Sequence, residues 1–106
     1  AEDLIHEIYD EKNPQYAVHT NANCMVMALA ILYANNDFDK VLRYSIDTGY
    51  DTDSNTAIVA SVVGIVIGFD NIDPKWYQLF NGLLETKLIN VGMIKIDDLV
   101  ERTYKL

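Results

Sequence analysis

The sequence has few basic residues and a single cysteine. Of its 106 residues, 8 are lysine or arginine and 16 are aspartate or glutamate, so the formal net charge is −8 at pH 7. This acidity argues against binding to nucleic acid or to an anionic membrane surface, because both contacts depend on clustered basic side chains. The lone cysteine, Cys24, has no internal partner for a disulfide, which fits a reducing, cytoplasmic setting.

Long apolar runs are absent as well. The longest uncharged stretch of the apolar region, residues 54–69, covers 16 residues and includes serine, threonine and asparagine. A transmembrane helix needs about 20 predominantly apolar residues, so we expect no membrane span. No basic segment opens the sequence, so no secretory signal is expected either.

The alternation of polar and apolar residues that marks strands is missing, whereas apolar residues recur at helical spacing along almost the whole chain. The sequence therefore predicts one all-α domain over residues 1–106, a compact bundle of five or six helices. A break at Asn13-Pro14 and start signals at Asp37 and Asp73-Pro74 separate the segments. The predicted helices cover residues 2–11, 23–34, 38–47, 54–68, 74–85 and 96–104.

Burial is expected for several of these helices. The nearly all-apolar helix 23–34 predicts burial on every side. Small residues recur at three- and four-residue steps along helix 54–68, and glycines inside a helix need a compensating contact, so we expect a close crossing by another backbone. These small residues are Ala57, Ala60, Ser61, Gly64 and Gly68. The residues expected to face inward from the last two helices are Trp76, Leu79, Phe80, Leu83, Leu84, Leu99 and Val100.

A cluster of oxygen-bearing side chains stands at the start of helix 54–68. Asp51 and Asp53 are followed directly by Ser54 and Asn55. Two carboxylates this close repel one another unless positive charge lies near them, and magnesium or calcium prefers such oxygen ligands. The spacing is not that of an EF-hand loop. The residues alone leave two interpretations open, namely a cap and solvated turn at the helix start or a metal site.

The sequence from Gly49 to Gly68, GYDTDSNTAIVASVVGIVIG, resembles the C-terminal signature of the ADP-ribosylglycohydrolase family. In that signature a glycine and an aromatic residue or a second glycine precede D-T-D-[ST]-N and a helix rich in small residues. The resemblance extends to the segment from His19 to Met25, to the helix that follows Phe38, and to the C-terminal region. It covers roughly residues 18–103.

The resemblance implies a compact all-α fold and hydrolysis of ADP-ribosyl N- or O-glycosidic bonds at a centre of two magnesium ions. The implied partner is an ADP-ribosylated substrate or ADP-ribose. Asp51, Asp53 and Ser54 match the family's C-terminal metal ligands. The remaining candidates, for substrate contact or for support of the ligands, are Asn55, Tyr50 and His19.

The other ligands of the family, a threonine with paired aspartates, have no match here. The paired acids Asp97 and Asp98 fall in the last helix, where a solvated face is the better interpretation. We therefore interpret the chain as a C-terminal part that lacks the N-terminal portion of the enzyme. We expect it to be inactive alone, with no confident catalytic residue, and to self-associate through uncovered apolar surface. The alternatives are a non-catalytic helical interaction module that retains the fold, and a simple magnesium- or calcium-binding domain.

Overall fold

Five helices account for most of the first 72 residues. The computed structural model describes residues 1–106 and divides them into two compact units, Ala1–Ile72 and Asp73–Leu106. The helices of the first unit are α1 (Glu2–Ile8), α2 (Pro14–Ala17), α3 (Thr20–Ala34), α4 (Phe38–Asp47) and α5 (Thr52–Ile67), followed by a 3-10 turn at Phe69–Asn71.

The helix boundaries follow from local capping. The Asp37 carboxylate accepts a hydrogen bond from the Lys40 N–H at 3.0 Å, so α4 begins where the sequence predicts. The side chain of His19 accepts from the Asn21 N–H, which starts α3 three residues earlier than predicted. α1 ends at Ile8 instead of residue 11, because Tyr9 already has an extended backbone with φ −121° and ψ 82°. The short helix α2 was not predicted.

The core of the first unit lies where α3, α4 and α5 pack against one another. α4 is amphipathic and turns its apolar face inward. The buried residues at this junction are small or β-branched; they are Ala30, Ala34, Val41, Leu42, Val59 and Val63. These side chains fix α5 against α3 and α4, and in its first turn Asp53 and Ser54 are exposed.

The second unit contains the main departure from the predicted fold. Two 3-10 turns (Pro74–Trp76 and Gln78–Phe80) precede a two-stranded antiparallel sheet of β1 (Leu83–Glu85) and β2 (Met93–Lys95), and α6 (Ile96–Tyr104) follows as predicted.

The predicted helix over residues 74–85 is therefore wrong. Asp73 caps the first turn as expected, since its carboxylate accepts from the Lys75 N–H at 2.9 Å. Asn81 and Gly82 then adopt left-handed φ values of 49° and 68°, which end helical geometry and start the hairpin. The small sheet aside, the structure has six α-helices, so the all-α prediction is confirmed.

Much of the apolar surface that was predicted to be buried is exposed. All seven residues expected to face inward from the last two helices are between 39% and 83% exposed, so that prediction is wrong. The prediction that α3 is buried on every side is also wrong, because Cys24, Leu32 and Tyr33 are exposed. None of the helices combines the length and apolar character required to cross a bilayer.

The expected close crossing of a backbone over α5 is not found at Gly64. A Cβ placed there would lie 3.6 Å from Ile72 Cδ1 and 3.7 Å from Phe38 Cε2, which are ordinary contacts with side chains. Gly68 has no neighbour within 4 Å of such a Cβ, but its φ of +80° is a conformation that favours glycine.

We therefore expect Gly64→Ala to raise the free energy of unfolding by up to about 1 kcal/mol, because alanine is the better helix former and its Cβ fits. Gly64→Leu should lower it by about 1–3 kcal/mol, because the longer side chain must displace Phe38 or Ile72. Urea unfolding measures both changes. Gly68→Ala is the matched control and should destabilise through backbone strain. A Gly64→Ala protein that is clearly less stable than the parent would contradict the contact distances.

Candidate functional site

The predicted metal ligands lie at the N-terminus of α5, directly after a sharp turn from α4. Gly49 and Tyr50 form this turn with consecutive left-handed φ values of 84° and 62°. Asp51 is the N-cap residue of α5, and Asp53 and Ser54 lie in its exposed first turn. A left-handed conformation is costly for a bulky residue such as tyrosine, so other contacts must hold Tyr50 in place.

Those contacts come from α1 and the residue that follows it. The ring of His6 stacks on the ring of Tyr50, with centroids 5.0 Å apart and planes inclined by 22°. The Tyr50 hydroxyl donates a hydrogen bond to the carbonyl oxygen of Tyr9, and His6 Nε2 lies 3.0 Å from the carbonyl oxygen of Thr48. Burial, and then the negative charges of Glu11 and Asp10, raise the pKa of the Tyr50 hydroxyl, which therefore stays protonated as a donor.

The backbone at Gly49 favours glycine, because its φ is +84°. The carboxylate of Glu11 also lies close to this position. α1 and the chain that follows it therefore contact the turn at both Gly49 and Tyr50. Together these contacts set the direction in which α5 starts.

The two candidate carboxyl groups contact each other. A side-chain hydrogen bond with Asp51, followed by bonds from the backbone N–H groups of Ser54 and of Asp53 itself, holds the pKa of the Asp53 carboxyl below its usual range. Two carboxylates this close repel one another unless positive charge lies near them, so a cation is favourable beside the pair. Asp53 is exposed and Asp51 is half-buried, which leaves the pair open to solvent.

One part of the alternative interpretation from sequence, a cap by the Asp51 side chain, is not found. Its other part, a solvated turn, agrees with the exposure of Asp53 and Ser54. The Asp51 side chain makes no capping hydrogen bond at the start of α5. By contrast, Asn13, Asp37 and Asp73 each accept a backbone N–H at the start of their own helices. The carboxyl of Asp51 is therefore not used for the task that this residue type performs elsewhere in the chain.

Asn55 lies on the buried side of α5 and is only 2% exposed. Its Nδ2 donates a hydrogen bond to Oδ1 of Asn23 on α3 at 2.6 Å. The same oxygen accepts the backbone N–H of Asp51 at 3.2 Å. Asn23 therefore contacts two of the predicted site residues, although the sequence analysis did not single it out. A polar residue among the apolar side chains of α3 was the one signal that could have identified it.

His19 lies apart from the carboxyl pair, at the N-cap of α3. Its Nδ1 accepts the Asn21 N–H at 3.3 Å, and its ring neighbours those of Tyr9 and Tyr16 with centroids 5.2 and 5.9 Å away. Its carbonyl oxygen accepts from Asn23 Nδ2 at 3.1 Å. The structure therefore links His19 to the site through its backbone, whereas its ring belongs to an aromatic cluster.

The donor set of the turn fits part of a magnesium shell. Two carboxylates and the Ser54 hydroxyl are the hard oxygen donors that magnesium prefers, and the exposed first turn keeps Asp53 and Ser54 accessible. No group of three or more His, Cys, Asp or Glu side chains is arranged to hold a metal ion. Further ligands for a full shell have to come from water or from outside this chain.

Comparison with known proteins confirms the family resemblance found in the sequence. The sequence profile of the ADP-ribosylglycohydrolase family matches residues 1–105, further toward the N-terminus than the sequence resemblance extended. Human ADP-ribosylhydrolase ARH3 is 30% identical over 80 residues, which are 76% of this chain and 22% of the human protein. The chain thus matches about a fifth of the length of that relative. No solved structure gives a significant match.

Variants of Tyr50 test how the turn is held. We expect Tyr50→Phe to cost about 1 kcal/mol in unfolding free energy, because it loses only the hydrogen bond to Tyr9. Tyr50→Ala should cost more, because it loses the ring and keeps the left-handed strain. Tyr50→Gly loses the same ring without that strain, so it should be about 1–2 kcal/mol more stable than Tyr50→Ala.

Urea unfolding of the three variants measures these differences. The comparison of glycine with alanine isolates the backbone, because both lack the ring. An alanine variant as stable as the glycine variant would show that Tyr50 is not held in a left-handed conformation.

Proposed function

Because the chain belongs to the ADP-ribosylglycohydrolase family, we propose that it is the metal-ligating C-terminal part of a hydrolase that cleaves ADP-ribosyl glycosidic bonds. The observation that carries this proposal is the pair of carboxyl groups in the turn at the start of α5. This turn belongs to the part of the chain, residues 1–105, that the family profile matches. Membership of the family suggests hydrolase activity of this kind for the protein to which the chain belongs.

In this proposal Asp51, Asp53 and Ser54 supply oxygen ligands to a centre of two magnesium ions. Polarisation of water and of substrate oxygens is the chemistry that such ions supply when bound. The closeness of the two carboxyl groups supports the assignment, because adjacent carboxylates favour a cation between them. The N-terminus of α5 adds partial positive charge, which favours negative side chains in its first turn.

The chain's own residues orient and bind in this proposal. The stacked ring of His6 and the bond to Tyr9 fix Tyr50, so the ligands begin from a defined backbone. Tyr50 and His19 stay candidates for substrate contact, and Asn55 for support of the ligands. We assign no proton transfer to this chain: Tyr50 and His6, the other titratable groups beside the turn, contact each other and backbone carbonyl oxygens.

The remaining ligands would come from the rest of a longer protein. An apolar stripe supports this view, because it runs along α5 on the side that also carries Ser54, at steps of three and four residues. Its members, Ile58, Val62, Ile65 and Val66, are between 42% and 84% exposed. We propose that the N-terminal portion covers this stripe and thereby brings its ligands to the end where Ser54 lies.

The same stripe favours the second candidate function, a non-catalytic helical interaction module. A module of that kind would keep the fold and bind a partner through the stripe without needing a metal. Metal binding at Asp51 and Asp53 therefore separates the two functions.

We expect the isolated chain to bind Mn²⁺, used as a paramagnetic stand-in for Mg²⁺, weakly and at the start of α5. Line broadening in NMR spectra should centre on residues 51–54. Asp51→Asn and Asp53→Asn should each weaken this binding at least about tenfold, because each removes a charged ligand.

Asp97→Asn is the matched control, because Asp97 also lies in the first turn of a helix but outside the site. It should leave binding unchanged. Equal weakening in all three variants would indicate general attraction to an acidic chain and would remove the support for a metal site.

We also expect the isolated chain to be inactive on ADP-ribosylated peptide, and hydrolysis to appear when a companion fragment carrying the family's N-terminal ligands is added. Ile65→Glu should abolish this recovery by placing a charge in the stripe. It should not unfold the chain, because Ile65 is 84% exposed.

Leu79→Glu serves as the control, since Leu79 is 83% exposed and lies outside the stripe. Sedimentation of the same samples measures self-association, which should fall in Ile65→Glu. A clean monomer at high concentration would refute self-association. Recovery of hydrolysis by Ile65→Glu at the parent level would refute docking through the stripe.

A further inference from the structure

Asn23 is a buried amide on α3 that joins three segments of the first unit. It is 8% exposed and makes four hydrogen bonds. We propose that Asn23 is the positioning residue for the ligand turn, holding the backbone of Asp51 and the first turn of α5 in the orientation that metal binding requires. This inference rests on the proposed metal site and adds a residue that touches none of the ligand carboxylates.

The orientation of the amide follows from its backbone partners. Nδ2 donates to the carbonyl oxygens of His19 at 3.1 Å and Ala17 at 3.5 Å, and neither oxygen can be a donor. Oδ1 accepts the backbone N–H of Asp51, which cannot be an acceptor. Exchange of the amide oxygen and nitrogen is therefore excluded by three fixed groups, so the oxygen faces the ligand turn.

The two bonds to Oδ1 lie one helical turn apart. The first holds the peptide between Tyr50 and Asp51, and that peptide sets the direction of the Asp51 side chain. The second holds the side chain of Asn55. With both ends of the turn fixed to one atom, α5 cannot rotate about its axis without breaking a buried bond. Asp53 and Ser54, which lie between the two anchors, are thereby kept on the outer side.

All hydrogen-bond donors and acceptors of the Asn23 side chain are occupied. An amide offers two N–H donors and two acceptor lone pairs, and the four bonds occupy all of them. Aspartate keeps the acceptor but loses both donors, and leucine has a similar size but loses all four bonds. The two substitutions therefore separate the acceptor toward the ligand turn from the donors toward residues 17–19.

A purely structural role is the competing explanation, and Ser45 provides the matched control. Ser45 is fully buried, and its hydroxyl bonds the hydroxyl of Thr56 on α5 at 2.9 Å and the carbonyl oxygen of Leu42. It therefore also ties α5 to a neighbouring helix. Unlike Asn23, it has no bond to the turn formed by residues 50–55.

The test compares the 106-residue chain with its Asn23→Leu, Asn23→Asp and Ser45→Ala variants. NMR measures the hydrogen exchange of the Asp51 amide and the line broadening by Mn²⁺. Asn23→Leu should speed exchange of the Asp51 amide about tenfold and weaken Mn²⁺ binding several-fold, because a buried bond is lost. Ser45→Ala should change neither, although it also removes a buried bond. Asn23→Asp should keep the Asp51 amide protected.

The outcomes separate this inference from the proposed function. An Asp51 amide that exchanges freely in the unaltered chain, a measurement that needs no variant to fold, overturns the role of Asn23. Equal effects of Asn23→Leu and Ser45→Ala on exchange and on Mn²⁺ binding overturn it as well. Absence of Mn²⁺ binding in the unaltered chain, with an Asp51 amide that still depends on Asn23, refutes the metal site and leaves the positioning intact.

Discussion

The start of α5 depends on one buried amide on α3 that bonds two other segments of the chain. Asn23 holds the backbone of residues 17–19 with its nitrogen and the ligand turn with its oxygen. Backbone groups that are buried need partners, and here a side chain supplies them where neither helix can. The turn of Gly49 and Tyr50 can keep its left-handed geometry because the residue after it is fixed in this way.

α1 contributes to the order of the turn before α5 more than to the hydrophobic core. Its short helix buries only Ile5, so it adds little to the core. Its His6 ring instead stacks on Tyr50, and the backbone of Tyr9, just after the helix, accepts the tyrosine hydroxyl. α1 therefore orders the turn without adding much to the core, whereas α3 contributes to both.

Helices with a clear local signal in the sequence, such as a capping residue or amphipathic spacing, were predicted correctly. The cap at Asp37 and the apolar spacing after it gave the bounds of α4, and the amphipathic pattern after residue 95 gave those of α6. The hairpin was missed because apolar spacing over residues 76–84 also suits a helix, and the left-handed pair Asn81 and Gly82 decided the outcome.

The ligand motif was visible in sequence because its residues are consecutive. Its supports were not, since Asn23 and His6 lie 28 and 42 residues from their partners at Asp51 and Thr48. No period or local spacing in the sequence encodes such pairs, and they become visible only when the helices are packed.

The position of Ser54 on the same side of α5 as the exposed apolar stripe has a thermodynamic consequence. If one partner surface both covers the stripe and completes the ligand shell, then docking and metal loading are linked equilibria, and each must strengthen the other by the same factor. Tight binding of the cation would then indicate that the two parts have assembled, because only the assembled protein would have the full set of ligands. In that case the C-terminal part alone, with its acidic turn, would hold magnesium too weakly to compete for it.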